Sequence, residues 1–268
     1  PGGATDDYIA LSGTAVIPAG SQSVDVTVAV NDDSLVEGSE TVVLKLQTIV
    51  SGDPQISIVP LANDMATVTI ADDDGSFVSV LNTSVNESVG NAVVTLSLSN
   101  PSINPIIVSY TVTDGSAKAS SLDYTVPATL TASFSAGATT TTVTVPIGDD
   151  SLVEGSETFN VSLTSLVAGG PSVSLSPTAG VVTIADNDND STVSITGGSS
   201  TEGSDLVYTV SLSKAADQDT TLTYSVGGGS AEAADYTVPA TTTVVVPANS
   251  LTAAFNIATT NDSFVEGE

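Results

Sequence analysis

The sequence predicts an all-β protein built of tandem antiparallel β-sandwiches. Three observations predict it: a long internal repeat, a period-two alternation of Val, Ile and Thr with polar residues, and Gly, Pro and Asn breaking the chain into short runs. No segment carries a convincing helical period. The repeat sets the frame. NDDSLVEGSET at 31–41 returns as GDDSLVEGSET at 148–158 and again as NDSFVEGE at 261–268. LDYTVPAT at 122–129 returns as ADYTVPAT at 234–241, and Asp6-Asp7-Tyr8 holds the same place in the first copy. VTIADDD ending at Asp74 is matched by VTIADND ending at Asp188. A spacing of 112 to 117 residues is too long for a solenoid unit and right for a whole domain.

The expected divisions follow from the motifs. Residues 76–190 form a complete copy, residues 1–75 a copy without its early strands, and residues 191–268 a copy without its last two. With no starting Met, no signal peptide and no apolar run of about 18 residues, the chain reads as a piece of a longer protein with no segment that inserts in a membrane. In the complete copy, strands are expected at 77–86, 92–98, 106–113, 129–134, 139–147, 158–166 and 180–185. Val143, Val145 and Ile147 point one way while Thr142 and Thr144 point the other; Phe159, Val161 and Leu163 alternate with Asn160, Ser162 and Thr164. Seven short strands, each with one apolar face, predict an immunoglobulin-like seven-stranded sandwich.

Charge then limits function. Lys45, Lys118 and Lys214 are the only 3 basic residues against 31 acids, for a formal charge of -28. Such a field repels phosphate backbones, and no Arg is present to read a base edge, so nucleic acid is excluded. Cys and His are absent, which removes thiolate and imidazole metal sites, disulfides and Cys or His catalysis. Only oxygen ligands remain. The many Ser residues have no His partner for a triad, and paired-carboxylate glycoside hydrolysis needs a cleft that an aromatic-poor sandwich does not offer. The chain is expected not to be an enzyme, with no catalytic residues.

Strand parity places the acids. If successive strands cross the sandwich and reverse, the first, third and fifth connections and the segment after the last strand share one pole. In the complete copy Glu87 falls in the first connection, Asp114 and Asp123 in the third, and Asp149, Asp150, Glu154 and Glu157 in the fifth. Asp186, Asp188 and Asp190 follow the last strand, so all ten acids share one pole and the opposite connections hold none. Two carboxylates about 4 Å apart repel by roughly 4 kcal/mol at an effective dielectric near 20. A hard divalent cation removes that repulsion, and Ca²⁺, which accepts 6 to 8 oxygens in flexible geometry, suits a set of loops better than Mg²⁺.

At these residues the sequence resembles the Calx-beta family. The resemblance rests on VNES at Glu87, GSAKASSLDY ending at Asp123-Tyr124, FSAG from Phe134, DDSLVEGSE from Asp149 and VTIADND closing on Asp188, in that order. It implies a sandwich that binds Ca²⁺ at the acidic pole. Carried over by position, the implied ligands of the middle copy are Glu87, Asp123, Asp149, Asp150, Glu154, Asp186 and Asp188, with Asn187 interrupting the closing acidic run and weakening one ion. The first copy offers Asp7, Asp32, Asp33, Glu37, Asp72, Asp73 and Asp74. The third offers Glu202, Asp235, Asp262 and Glu266, with Asn261 in place of the first Asp and no closing run, so a weak or empty site is expected there.

Other acids and the tyrosines read differently. Glu40 and Glu157 are left open between metal and loop backbone. Tyr8, Tyr124 and Tyr236, each following a candidate ligand, are expected to be packing anchors whose hydroxyls find partners. Asp53, Asp64, Asp217 and Asp219 lie near the opposite pole and read as surface charge. The short linkers set each acidic pole against the next copy, so Ca²⁺ is expected to turn a flexible string into a rod. The expected partners are neighbouring repeats, with self-assembly into filaments or a surface matrix. The expected setting is a secreted or cell-surface protein used in adhesion or surface structure. Two other classes fit the resemblance: a regulatory Ca²⁺ sensor of a membrane protein, and a ligand-binding adhesin module.

Overall fold

Period-two alternation produces strands throughout the computed structural model, which describes residues 7–59, 64–170, 172–188, 190–227 and 229–263. In the first copy β1 (Glu40–Lys45) pairs antiparallel with β2 (Met65–Ile70), setting Val42 opposite Val68. The middle copy holds β3 (Ser76–Val80), β4 (Thr83–Asn86), a 3-10 turn at Glu87–Val89, β5 (Asn91–Leu98), β6 (Ile106–Asp114), β7 (Thr131–Phe134), β8 (Thr140–Pro146), β9 (Glu157–Ala168), β10 (Val173–Leu175) and β11 (Gly180–Ala185). They form two sheets in the orders β10-β3-β5-β8 and β4-β11-β9-β6-β7. In the third copy β12 (Val193–Gly197), β13 (Leu206–Leu212), β14 (Thr220–Thr223), β15 (Tyr236–Thr237), β16 (Thr243–Val246) and β17 (Thr252–Thr259) give the orders β12-β13-β17-β15 and β14-β16.

Alternate residues of both middle sheets face inward and fill one core. Ala92, Val94, Leu96 and Leu98 of β5 and Val143 and Val145 of β8 meet Ile106, Val108, Tyr110 and Val112 of β6, Phe159 and Val161 of β9, and Val182 and Ile184 of β11. Tyr124 is buried and stacks on Phe159 with ring centroids 4.5 Å apart. Its hydroxyl donates to Asp114 Oδ1 at 2.5 Å. Tyr124 is thus the expected packing anchor, whereas Tyr8 is 38% exposed; Tyr8, Tyr124 and Tyr236 share only their antiparallel register, opposite Val30, Ile147 and Thr259.

Two expectations need correction. The strand expected at 77–86 is divided: β3 lies antiparallel to β5 in one sheet, whereas β4 lies parallel to β11 in the other. The chain changes sheets at Leu81-Asn82, where the Asn82 side chain accepts the Val181 amide at 2.9 Å and so supplies a ladder bond. The connection after β9 was expected to be loop only. Instead β9 continues to Ala168, helped by register shifts against β6, and β10 pairs parallel with β3. That extra strand satisfies the edge that β3 would otherwise present to solvent.

Phe159 is fully buried at the centre of this core. Phe159→Ala should cost about 3–5 kcal/mol of stability in chemical denaturation; a loss under about 1 kcal/mol would contradict the packing described.

Candidate metal centre

The acidic pole of the middle copy is assembled by backbone amides that donate to its own carboxylates. Asp150 Oδ1 accepts the Leu152 amide at 2.7 Å, which folds the loop between β8 and β9 into a tight turn. Glu87, buried in its 3-10 turn, accepts the Asp150 amide at 3.1 Å. Asp186 Oδ2 accepts the Glu154 amide at 3.0 Å, and Asp186 Oδ1 accepts the Asp188 amide at 2.6 Å. Gly148 donates to the Asp123 carbonyl at 3.0 Å, after Leu122 takes a left-handed φ of 76°. Four discontinuous segments therefore meet, and Glu87, Asp123, Glu154, Glu157 and Asp186 line one pocket. Glu87, Asp186 and Asp188 each offer an oxygen within 4.8 Å of the others.

The first copy repeats the design. Leu35 donates to Asp33 Oδ1 at 2.7 Å, Glu37 to Asp72 Oδ2 at 2.9 Å, Asp74 to Asp72 Oδ1 at 3.1 Å and Asn31 to the Asp7 carbonyl at 2.9 Å. Asp7, Asp32, Asp33, Glu37, Glu40, Asp72, Asp73 and Asp74 line one pocket. Two triads converge there, Asp7 with Glu37 and Glu40, and Asp32 with Asp73 and Asp74, each with oxygens within 4.8 Å. The middle copy differs at one position: Asn187 stands where the first copy has Asp73, and its amide donates to Asp149 Oδ1 at 3.3 Å. An acid-rich corner thereby becomes a hydrogen-bonded pair.

In the third copy Glu202 Oε1 accepts the Asp262 amide at 3.3 Å, as Glu87 does for Asp150. Thr260 donates to the Asp235 carbonyl at 2.8 Å, matching the Asn31 and Gly148 bonds, while the Asp235 carboxylate accepts the Glu232 amide at 2.6 Å. Glu266 lies outside the described residues, and among the described residues no acidic triad converges in this copy.

Crowding shows in the protonation of the carboxylates. Burial pushes Glu154 up to about 7, with Asp150, Glu157, Asp123 and Glu87 adding repulsion. Burial also pushes Glu157 up to about 7, helped by its hydrogen bond with Asp123 and by the charges of Asp123 and Asp217. Glu37 rises through burial and then the charges of Asp7, Glu40, Asp33 and Asp72; Glu87 rises through burial, partly offset by the Asp150 amide. Glu40 and Glu157, left open by the sequence, both join the clusters. Asp114 does not: the Tyr124 hydroxyl and then the Ala119 amide, at 3.1 Å, hold it below the usual carboxylate range.

Two residues acquire places that sequence reasoning missed. Asp217, expected to be mere surface charge, stands close enough to Glu157 to raise it. Lys214, also of the third copy, pairs with Asp188 Oδ1 of the middle copy at 3.0 Å. Aligning the copies could have flagged Lys214, because Asn100 holds its place in the middle copy and the chain has so few cations.

Fold and site together define a tandem β-sandwich protein with an all-oxygen acidic pole on the first and middle repeats. The Calx-beta domain family model matches residues 2–74, 76–188 and 195–268, and the chain belongs to that family. Calx-beta domains are calcium-binding, and they are binding or regulatory modules rather than catalysts. Among solved structures, an apo-form Calx CBD1 domain is 24% identical with a TM-score of 0.38, covering 43% of this chain and 100% of that one. The calcium binding domain CBD12 of CALX1.1 is 19% identical with a TM-score of 0.37, covering 66% of this chain and 74% of that one. No curated protein matches the chain. Among the described residues, no helix is long and apolar enough to cross a membrane.

The raised carboxylates fix a pH response. A folded-state value above the unfolded one means that the folded protein binds more protons between the two, so stability falls as pH rises across that interval. For Glu154 and Glu157 the interval runs from 4.5 to about 7. In EDTA the Tm should fall across it and level off above it; a Tm that rose with pH there would contradict the geometry.

Proposed function

We propose that this chain is a calcium-binding structural stretch of an extracellular or cell-surface protein, in which Ca²⁺ at the poles between repeats stiffens a rod used in adhesion or in a surface filament or matrix. The observation that carries the reading is the recurrence of the acid-lined pole in successive repeats, each closed by the run that leads into the next. The donor set fits the ion, since every candidate ligand is a carboxylate and Ca²⁺ accepts 6 to 8 oxygens in adaptable geometry. In the first copy Asp7, Asp32, Asp33, Glu37, Asp72, Asp73 and Asp74, with Glu40, would hold it. In the middle copy Glu87, Asp123, Asp149, Asp150, Glu154, Asp186 and Asp188, with Glu157, would do so.

Bound cation would supply charge neutralisation; the chain supplies the coupling. Asp186 and Asp188 belong both to the pole and to the linker, which reaches Thr192 of the third copy only four residues after Asp188. Ordering that run orders the exit of the chain. The third copy, without a converging triad among its described residues, is the weak site. The near-identical motifs in tandem and the acidic, Thr-rich composition support an exterior setting over a sensor beside a transporter.

Removing Ca²⁺ with EDTA should lower the Tm and shorten the maximum dimension in small-angle scattering, and restoring it should reverse both. Unchanged dimensions and Tm would sink the proposal. Asn187→Asp, which restores the acid of the first copy, should raise the number of ions bound; an unchanged stoichiometry would show that the Asn187 to Asp149 bond does not limit the middle copy.

A further inference from the structure

Both junctions between copies are closed by the same main-chain contacts, although the sequences that meet there differ. At the first, Val36 donates its amide to the Pro101 carbonyl at 2.9 Å and accepts the Ile103 amide at 3.2 Å, in a parallel bridge with Ser102. At the second, Val153 donates to the Ala215 carbonyl at 2.8 Å and accepts the Asp217 amide at 3.4 Å, in a parallel bridge with Ala216. Val36 and Val153 are the same residue of the repeated DSLVEG motif. Val36 is 4% exposed and belongs to the core cluster of the following copy, whereas Val153 is half-buried and outside the core cluster of the third copy, so the main-chain bonds are what the two junctions share.

The receiving loop is held ready from two sides. Ser76 Oγ donates to the Asn100 carbonyl at 2.9 Å and accepts the Asn100 amide at 3.1 Å, while Phe77 donates to Ser99 Oγ at 3.0 Å. Ser191, Lys214, Thr192 and Ser213 repeat this at 2.8, 3.1 and 2.8 Å. From behind, the carbonyl at the bridge position accepts an amide of the opposite turn: Gly137 to Ser102 at 2.8 Å, Asn249 to Ala216 at 2.7 Å. On the donor side, the amides flanking the valine are tied to their own copy, Leu35 to Asp33 and Glu37 to Asp72, Leu152 to Asp150 and Glu154 to Asp186. Only the central amide faces outward.

We infer that the valine of each DSLVEG loop is a plug that seats in a preformed backbone socket of the next copy. The pair is a generic head-to-tail coupler that fixes the relative orientation of neighbouring repeats. Its partner is another repeat of the same kind. Recognition through main-chain groups tolerates Pro-Ser-Ile in one socket and Ala-Ala-Asp in the other, as strand addition does elsewhere. The joint stands apart from the calcium reading because its bonds run from backbone to backbone.

The test uses the 268-residue chain, which has no native Cys, labelled for pulsed dipolar spectroscopy at Val93→Cys and Val207→Cys, two half-exposed strand positions in adjacent copies. Asp217→Pro removes the socket donor and Val153→Pro removes the plug donor, each altering a different copy; Asp217→Ala keeps the amide. In EDTA and in Ca²⁺ alike, both proline variants should broaden the inter-label distance distribution, and Asp217→Ala should leave it as in the parent. Asp217→Pro should also speed exchange of the Val153 amide by about tenfold. If one variant lost amide protection in the strands of its own copy, the other, which alters the neighbouring copy, would decide. Distributions unchanged by the prolines, or broadened equally by Asp217→Ala, would overturn the inference. Broadening by EDTA with no further effect of either proline would likewise overturn it, leaving the orientation to the ion alone.

Discussion

Carboxylates held within a few ångströms of one another repel, and everything at the acidic poles answers that repulsion. The chain gathers them there because strand reversal returns four separate segments to the same end of the sandwich. Its own resources offset part of the cost. Amides of Asp150, Leu152, Glu154 and Asp188 point at carboxylate oxygens, giving charge-assisted bonds stronger than neutral ones. Glu154 and Glu157 hold protons up to about pH 7, and Lys214 lends a cation from the next copy. These measures are partial, and the repulsion they leave is what the proposed hard cation would remove.

The position of that pole ties local chemistry to the form of the whole chain. The closing run Asp186 to Asp188 both accepts the loop amides and leads, through Ser191, into the socket of the third copy. The DSLVEG loop lies on both sides of the same boundary, with its flanking amides turned inward and its valine amide turned to the neighbour. Orientation between repeats is thus carried by residues one bond away from the site.

Much of this was legible in the sequence, for physical reasons. Period-two alternation located the inward faces of β5, β6, β8, β9 and β11, and counting reversals placed Glu87, Asp123, Glu154 and Asp186 together before any coordinates. The division of β3 from β4 was written only as a break in phase, since the inward positions are even at Val78 and Val80 and odd at Thr83 and Val85. Reading 77–86 as one strand passed over the adjacent Val80-Leu81 where the chain changes sheets. β10, a three-residue strand in a Pro- and Gly-punctuated stretch, was not legible. Asp114 looked like its neighbours, yet it faces the Tyr124 hydroxyl rather than the cluster. The coupler was invisible for a deeper reason: backbone bonds leave no residue signature on the socket side, so Pro101 to Ile103 and Ala215 to Asp217 share geometry without sharing sequence.

The central claim is that the poles hold calcium at defined sites and not as a diffuse counterion cloud. Isothermal titration calorimetry of the 268-residue chain with Ca²⁺ at about 0.15 M ionic strength, where loose electrostatic attraction is screened beyond about 8 Å, separates the two. The account predicts saturable binding, weaker for Mg²⁺ and reduced by Asp72→Asn and Asp186→Asn in separate variants. Heats without saturation, or indifferent to the choice of ion and to both substitutions, would contradict it.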